Sequence, residues 1–264
     1  MKQFEFIPEG YKGCSVKACL HYHNGSKEIA QKDYPAVIIC PGGAYENVSD
    51  REAEPVAVSF FAAGYNTYIL RYSVGTLARG FRPLCQLAAT ISEIRKHASE
   101  WYTIPDKIAV CGFSAGGHLA ASLGVLFNKS EFLKIYETSE NIRPDALILS
   151  YPVITADEFA HVMSIENVSG AKEGSKQYQW FGLERHVDKD TPPTFLWHTA
   201  EDSGVPVENS LKMAEALSAA KIPFELHIFP KGEHGMSICT EEVGTASEYN
   251  ARWVEWCIKW LKSL

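Results

Sequence analysis

Residues 108–119 read Ile-Ala-Val-Cys-Gly-Phe-Ser-Ala-Gly-Gly-His-Leu, an apolar run that breaks at a glycine-flanked serine and resumes as a small-residue helical stretch. Few architectures accommodate this. A continuous apolar run is a strand buried on both faces, and such strands belong to parallel sheets covered by helices. The rest of the chain repeats the alternation. Apolar runs predict strands at residues 16–22, 35–40, 66–71, 107–111, 145–150, 194–198 and 224–229. Longer segments predict helices at 51–63, 83–101, 115–127, 207–220 and 246–261. In the second of these, Leu84, Leu87, Ala88, Ile91 and Ile94 share one helical face. The pattern is that of a mostly parallel sheet with helices on both faces. No repeat or linker interrupts it, so residues 1–264 are expected to form a single domain. Residues 151–193 are too long for a plain connection and read as a small cap-like insertion.

Gly112-Phe113-Ser114-Ala115-Gly116 is a G-x-S-x-G motif between a strand and a helix. That context puts the Ser114 hydroxyl on a strained turn, which is why residues two away on either side lack side chains. The helix N-terminus behind it offers N–H groups and a positive dipole end where an oxyanion would form. The Ala115 N–H is one donor candidate. The second is expected from the loop after the buried strand, Cys40-Pro41-Gly42-Gly43-Ala44-Tyr45, with Gly43 and Ala44 as candidates. In this arrangement an acid and then a histidine follow the serine along the chain. The strand at 194–198 runs into Thr199-Ala200-Glu201-Asp202-Ser203, so Asp202 is the expected orienter, with Glu201 as the alternative. The last strand runs into Pro230-Lys231-Gly232-Glu233-His234-Gly235, which makes His234 the expected base. A neutral His234 takes the Ser114 proton, and Asp202 fixes its tautomer and stabilises the imidazolium.

The remaining histidines have other expected places. His198 and His227 lie within strands and read as core or sheet-face residues. His118, one helical turn past Ser114, is expected beneath the turn. His21 and His23 share a strand face, but no third ligand follows them, so no metal is expected. The chemistry needs only water as second substrate, so no cofactor is expected either.

On these residues the chain resembles a serine esterase of the α/β-hydrolase superfamily. Within it, the resemblance is to the small bacterial esterase/lipase group that includes acetyl-xylan-esterase-like and sugar-ester-hydrolase-like proteins. The stretches that carry it include Pro41-Gly42-Gly43-Ala44-Tyr45, Arg51-Glu52-Ala53-Glu54-Pro55, Gly112 to His118, Ser150-Tyr151-Pro152-Val153-Ile154, Thr194-Phe195-Leu196-Trp197-His198 and Gly232-Glu233-His234-Gly235. With the others they span roughly residues 35–240. The resemblance implies an α/β-hydrolase fold with a mostly parallel central sheet of about eight strands. It also implies a catalytic triad of Ser114, Asp202 and His234. Hormone-sensitive-lipase-like relatives carry His-Gly-Gly-Gly in the oxyanion loop; here Pro41 and Ala44 replace the first and last of these, and the donors, being backbone groups, remain.

Substrate contacts are expected from two places. The insertion carries Phe159, His161, Met163, Tyr178, Trp180 and Phe181, of which His161 and Trp180 are candidates to line the acyl or alcohol pocket. The bland alternative is that these aromatics only pack the insertion onto the body. Tyr45, with Glu46, Asn47 and Asp50, follows the oxyanion loop and could hydrogen-bond a sugar alcohol. The insertion is short for an interfacial lid, which favours short acyl groups such as acetyl. The expected function is therefore a serine carboxylic-ester hydrolase acting on small-molecule esters, with acetylated sugars or oligosaccharides as candidates. The alternatives are a serine peptidase or thioesterase on the same fold, or a catalytically inactive binding module.

Composition excludes other classes. The net charge is −7, from 25 Lys+Arg against 32 Asp+Glu, and no basic stripe is present to neutralise nucleic-acid or anionic-membrane phosphates. The longest apolar stretches, such as 36–40 and 56–63, fall far short of a membrane span. Met1-Lys2-Gln3-Phe4-Glu5 does not open a secretory leader, so a cytoplasmic location is expected. Seven irregularly spaced cysteines without a Cys-x-x-Cys read as reduced, buried thiols. Trp253, Trp256 and Trp260 on the terminal helix are expected to cover the body, with a homo-oligomer as the alternative.

Overall fold

The computed structural model describes residues 1–23, 26–138 and 140–264. Its sheet contains eight strands: β1 (Lys2–Phe6), β2 (Ser15–Leu20), β3 (Tyr34–Cys40), β4 (Asn66–Arg71), β5 (Thr103–Phe113), β6 (Ala146–Ser150), β7 (Thr194–Thr199) and β8 (Phe224–Phe229). They lie in the order β1-β2-β4-β3-β5-β6-β7-β8. The β1/β2 and β2/β4 pairs are antiparallel and all others are parallel. The principal helices are α1 (Glu54–Ala62), α2 (Arg82–Lys96), α3 (Ala115–Leu126), α4 (Ser130–Leu133), α5 (Val162–Ser169), α6 (Lys176–Gln179), α7 (Glu208–Ala219) and α8 (Glu248–Leu261).

Side-chain alternation along β3 divides the core in two. Ala36, Ile38 and Cys40 face one side with Leu84, Leu87 and Ile91 of α2, Leu119 and Leu123 of α3, and Met213 and Leu217 of α7. Val37 and Ile39 face the other with Val56 and Phe60 of α1 and Trp253 and Cys257 of α8. Both faces of the central strands are covered, so these strands carry continuous apolar runs rather than alternating ones. Trp253 is fully buried and donates its indole N–H to Ser237 O at 2.9 Å, so α8 packs on the body of the same chain. Six of the seven cysteines are buried and all are free thiols. Among the described residues no helix is long and apolar enough to cross a membrane.

The structure departs from the expected elements in four places. The first strand, β1, has mixed exposed and half-buried residues and too few apolar side chains to announce itself; Phe4 and Phe6 pack on Trp101. The helix expected at 51–63 is broken: a 3₁₀ turn over Asp50–Glu52 precedes α1, and Ala53 between them leaves the helical region at φ −106°, ψ −99°. Pro55 in the first turn of α1 suits a helix start and not a helix interior. His21 and His23 lie beyond the end of β2; His21 stacks between Tyr34 and Phe61, and His23 pairs with the Tyr34 hydroxyl at 2.7 Å. The stretch 151–193 folds as α5, α6 and a 3₁₀ turn over Leu183–His186.

Candidate active site

The turn between β5 and α3 is built on backbone contact. Ser114 sits at φ 52°, ψ −119°, a conformation L-residues rarely adopt. A Cβ on Gly112 would stand 2.1 Å from Gly116 O, and one on Gly116 would stand 2.0 Å from Cys40 O. Both positions must therefore be glycine for α3 to start directly behind the serine. The turn is held by the Ser114 N–H, which donates to Ser150 O at 3.1 Å, and by Ser114 O, which accepts from His118 and Val153. Ala115 opens α3, so its N–H is one of the donors that no helical carbonyl can satisfy.

Three side chains meet here from three strand ends. Ser114 Oγ–H donates to His234 Nε2 at 2.8 Å. His234 Nδ1–H donates to Asp202 Oδ2 at 2.7 Å. The tautomer follows from the partners, because a carboxylate only accepts. Asp202 is fully buried in its side chain, and its Oδ1 accepts from the Gly204 and Val205 N–H groups at 2.9 and 2.8 Å. Glu201, the alternative orienter, is exposed on the same turn. Burial alone would push the Asp202 carboxyl up. The hydrogen bonds from His198 and His234 outweigh it and hold the group well below the usual carboxylate range.

His198 does more than fill the core. Its Nε2 lies 2.9 Å from Val205 O and 3.3 Å from Asp202 Oδ2, both acceptors, so Nε2 carries the proton. Its Nδ1 pairs with Ser210 Oγ at 2.8 Å. Asp202 is thus braced by two imidazoles. Periodicity places His198 inside β7 but is blind to its meeting a carboxylate four residues on.

The loop after β3, which carries the oxyanion-donor candidates Gly43 and Ala44, lies directly against this group: a Cβ on Gly42 would stand 3.0 Å from Ser114 Cβ. Its backbone is left-handed at Gly43 (φ 123°), Ala44 (φ 55°) and Tyr45 (φ 59°). The Gly42 N–H is committed to the Glu52 carboxylate at 2.7 Å. Gly43 O accepts from the Glu46 and Asn47 N–H groups, and Ala44 O accepts from Asn167 Nδ2 of α5 at 2.9 Å. The carbonyls are all occupied in holding the loop's shape.

Tyr45 is not a substrate contact. The left-handed turn sends its ring inward, where it is fully buried and its hydroxyl donates to His118 Nδ1 at 2.9 Å. His118 Nε2–H in turn donates to Phe181 O at 3.1 Å. This buried histidine is held neutral, its pKa lowered by burial from 6.5 to about 4. The unfolded chain binds a proton below pH ~6.5 that the folded one refuses until pH ~4, so stability falls with acidification across that window. The unfolding free energy is expected to drop by about 3 kcal/mol from this group between pH 7 and pH 4. Urea titrations at a series of pH values check this, and a His118→Asn variant should show the shallower slope.

His161 and Trp180 part company. His161 caps the start of α5, pairs with Ser164 Oγ at 2.8 Å and lies within electrostatic reach of both His234 and Asp202. Burial, reinforced by the His234 charge, lowers its pKa. Trp180 instead packs edge-on to Phe81 and against His186, and borders a depression with Gly80, Glu131 and Lys176. One amide of α7 pins the start of the insertion: Asn209 Oδ1 accepts from the Ile154 and Thr155 N–H groups, and its Nδ2 donates to Phe159 O.

Two further groups at the site escaped the sequence reading, Glu52 and Tyr151. Glu52 sits in the Arg-Glu-Ala-Glu-Pro stretch, within the helix expected over 51–63; it lies instead on the 3₁₀ turn before α1 and is buried. Tyr151 follows the last residue of β6 at φ 37° and packs its ring edge-on to His234, with centroids 5.1 Å apart.

Comparison with known proteins agrees with this architecture. Residues 26–217 match the BD-FAE family model. The chain is 37% identical over 214 residues to Endo-1,4-beta-xylanase B of Butyrivibrio fibrisolvens, covering 78% of this chain and 33% of that one. It is 29% identical over 248 residues to an acetylxylan esterase of Xylanibacter ruminicola, covering 87% of this chain and 45% of the relative. It therefore spans a third to a half of these relatives' length. Among solved structures it is similar to an acetyl ester-xyloside bifunctional hydrolase from Caldicellulosiruptor lactoaceticus, with TM-score 0.82, 34% identity, and coverage of 95% and 88% of the two chains. The chain has the α/β-hydrolase fold and belongs to the BD-FAE family.

Proposed function

We propose that this protein hydrolyses carboxylic esters of short acyl groups through an acyl-enzyme on Ser114. The observation that carries the reading is the continuous hydrogen-bonded chain from Ser114 Oγ through His234 to buried Asp202. In the forward step His234 Nε2 takes the hydroxyl proton as Ser114 Oγ attacks the ester carbonyl. The Ala115 N–H, with Gly43 and Ala44, is assigned to the developing oxyanion. The protonated His234 then gives its proton to the leaving alcohol. Water repeats the sequence on the acyl-enzyme and releases the acid.

Substrate size follows from the insertion. Its helices α5 and α6 are eight and four residues long, and Asn167 and Asn209 tie it to the oxyanion loop and α7. A short, pinned cap beside the nucleophile supports an acetyl-sized acyl group. His161 is assigned to the pocket wall. The relatives named for acetylxylan and acetyl-xyloside chemistry support an acetylated sugar as the alcohol part. Hydrolysis of p-nitrophenyl esters from acetyl to decanoyl tests this, with kcat/KM expected to fall at least about tenfold between butyrate and octanoate. A rate that rises with chain length overturns the short-chain assignment. Inactivity on every ester, with turnover of a thioester or peptide, overturns the ester reading.

A further inference from the structure

Glu52 is a carboxylate with no part in the steps above, yet it is 3% exposed and bonds to the loop that abuts Ser114. The Gly42 N–H donates to its Oε2 at 2.7 Å. The Tyr151 hydroxyl donates to its Oε1 at 2.7 Å. The same hydroxyl accepts from the Ser237 N–H at 2.8 Å, three residues after His234. Ser237 Oγ closes the ring by donating to Arg51 O at 2.6 Å. Both carboxylate oxygens thus face donors, and the phenol has one partner on each side.

We propose that Glu52 is a positioning residue which, through Tyr151, locks the oxyanion loop to the histidine loop, so that the oxyanion donors and His234 keep one fixed relation to Ser114. Three features argue for this role. The oxyanion loop carries three successive left-handed residues, a strained path that persists only where its surroundings over-determine it. The Gly42–Glu52 bond is the side-chain contact nearest the start of that path, and a Cβ on Gly42 would stand 2.7 Å from Glu52 Oε2. A buried carboxylate is also a poor device for stability alone, since its desolvation costs about as much as its bonds return. Its two bonds run to two different loops, both of which touch the reacting atoms.

This inference rests on the esterase reading, and the two fail differently. The experiment compares wild type, Glu52→Gln, Tyr151→Phe and the double variant on p-nitrophenyl acetate, with a thermal melt of each. Gln keeps the size and one acceptor but lacks the second. Phe keeps the ring packing and lacks the hydroxyl. In Glu52→Gln, kcat is expected to fall ~10–100-fold while KM stays within about threefold, because misplacement acts on the transition state. Tyr151→Phe should shift kcat in the same direction with KM unchanged. The double variant should be no slower than the slower single, since both break one network. If Glu52→Gln does not fold, the KM-against-kcat split of Tyr151→Phe decides alone. Folded variants with wild-type kcat overturn the proposal, as do losses that multiply in the double variant. An inactive wild type overturns the esterase reading and this role with it.

Discussion

Replacing Ser114 by Ala is expected to lower kcat on a short-chain ester by at least about a thousandfold while leaving the melting temperature within a few degrees of wild type. The separation of the two effects follows from the geometry. The side chain makes one hydrogen bond, to His234 Nε2. The turn itself is held by the Ser114 backbone, through Ser150, His118 and Val153. Alanine keeps the Cβ and every one of those bonds. What disappears is the proposed nucleophile, and the remaining groups then have nothing to activate. Replacing His234 by Ala should cost nearly as much, and the double variant little more, because the three residues work as a unit. Steady-state kinetics with a thermal melt on each variant is the measurement. Wild-type turnover in Ser114→Ala would remove the serine from the mechanism.

Gly116→Ala is expected to be the most damaging single change to the fold. Its Cβ would stand 2.0 Å from Cys40 O and 2.4 Å from Pro41 O. Both obstacles are backbone atoms at the end of β3, and a methyl group has no rotamer with which to avoid them. Either α3 shifts as a body off the sheet or the oxyanion loop is pushed away from Ser114. The expected loss exceeds about 4 kcal/mol, which removes much of a single domain's stability. Circular dichroism and thermal unfolding would show a protein that fails to accumulate folded. Gly182→Ala is the control: its φ is −75° and its nearest contact would be 3.3 Å, so the change should stay within about 1 kcal/mol. A Gly116→Ala protein as stable as this control would mean that the tight contact of α3 with β3 is not required.

The sequence and the structure agree where local rules dominate. The β5 run and its two glycines dictate a strand, a strained turn and a helix before any tertiary contact is known. Asp202 and His234 meet Ser114 because each follows a short apolar strand, and strand ends converge in a parallel sheet. The misreadings have a common physical origin in backbone direction. Tyr45 looked like a substrate contact, but three left-handed residues turn it into the core against His118. Glu52 falls within the helix expected over 51–63, and the irregular Ala53 places it instead beneath the loop at Gly42. His198 lies in the core as its place in a strand implies, but pattern reading resolves which face of a strand a side chain takes and not that Asp202 stands opposite. Trp180 was drawn toward the site by its place in the insertion, whereas its ring packs with Phe81.

The insertion and the reacting groups are fastened to the molecule in different ways. Ser114, Asp202 and His234 ride on turns at the ends of β5, β7 and β8, so their spacing is fixed by the sheet itself. The segment between β6 and β7 instead sinks Ile165, Tyr178, Phe181 and Leu183 into the core and is pinned by two amide side chains, Asn167 to Ala44 O and Asn209 to Ile154, Thr155 and Phe159. The exposed face of that segment can therefore change in sequence without moving the three strand ends. Relatives of this chain should accordingly vary more between β6 and β7 than at the turns that follow β5, β7 and β8.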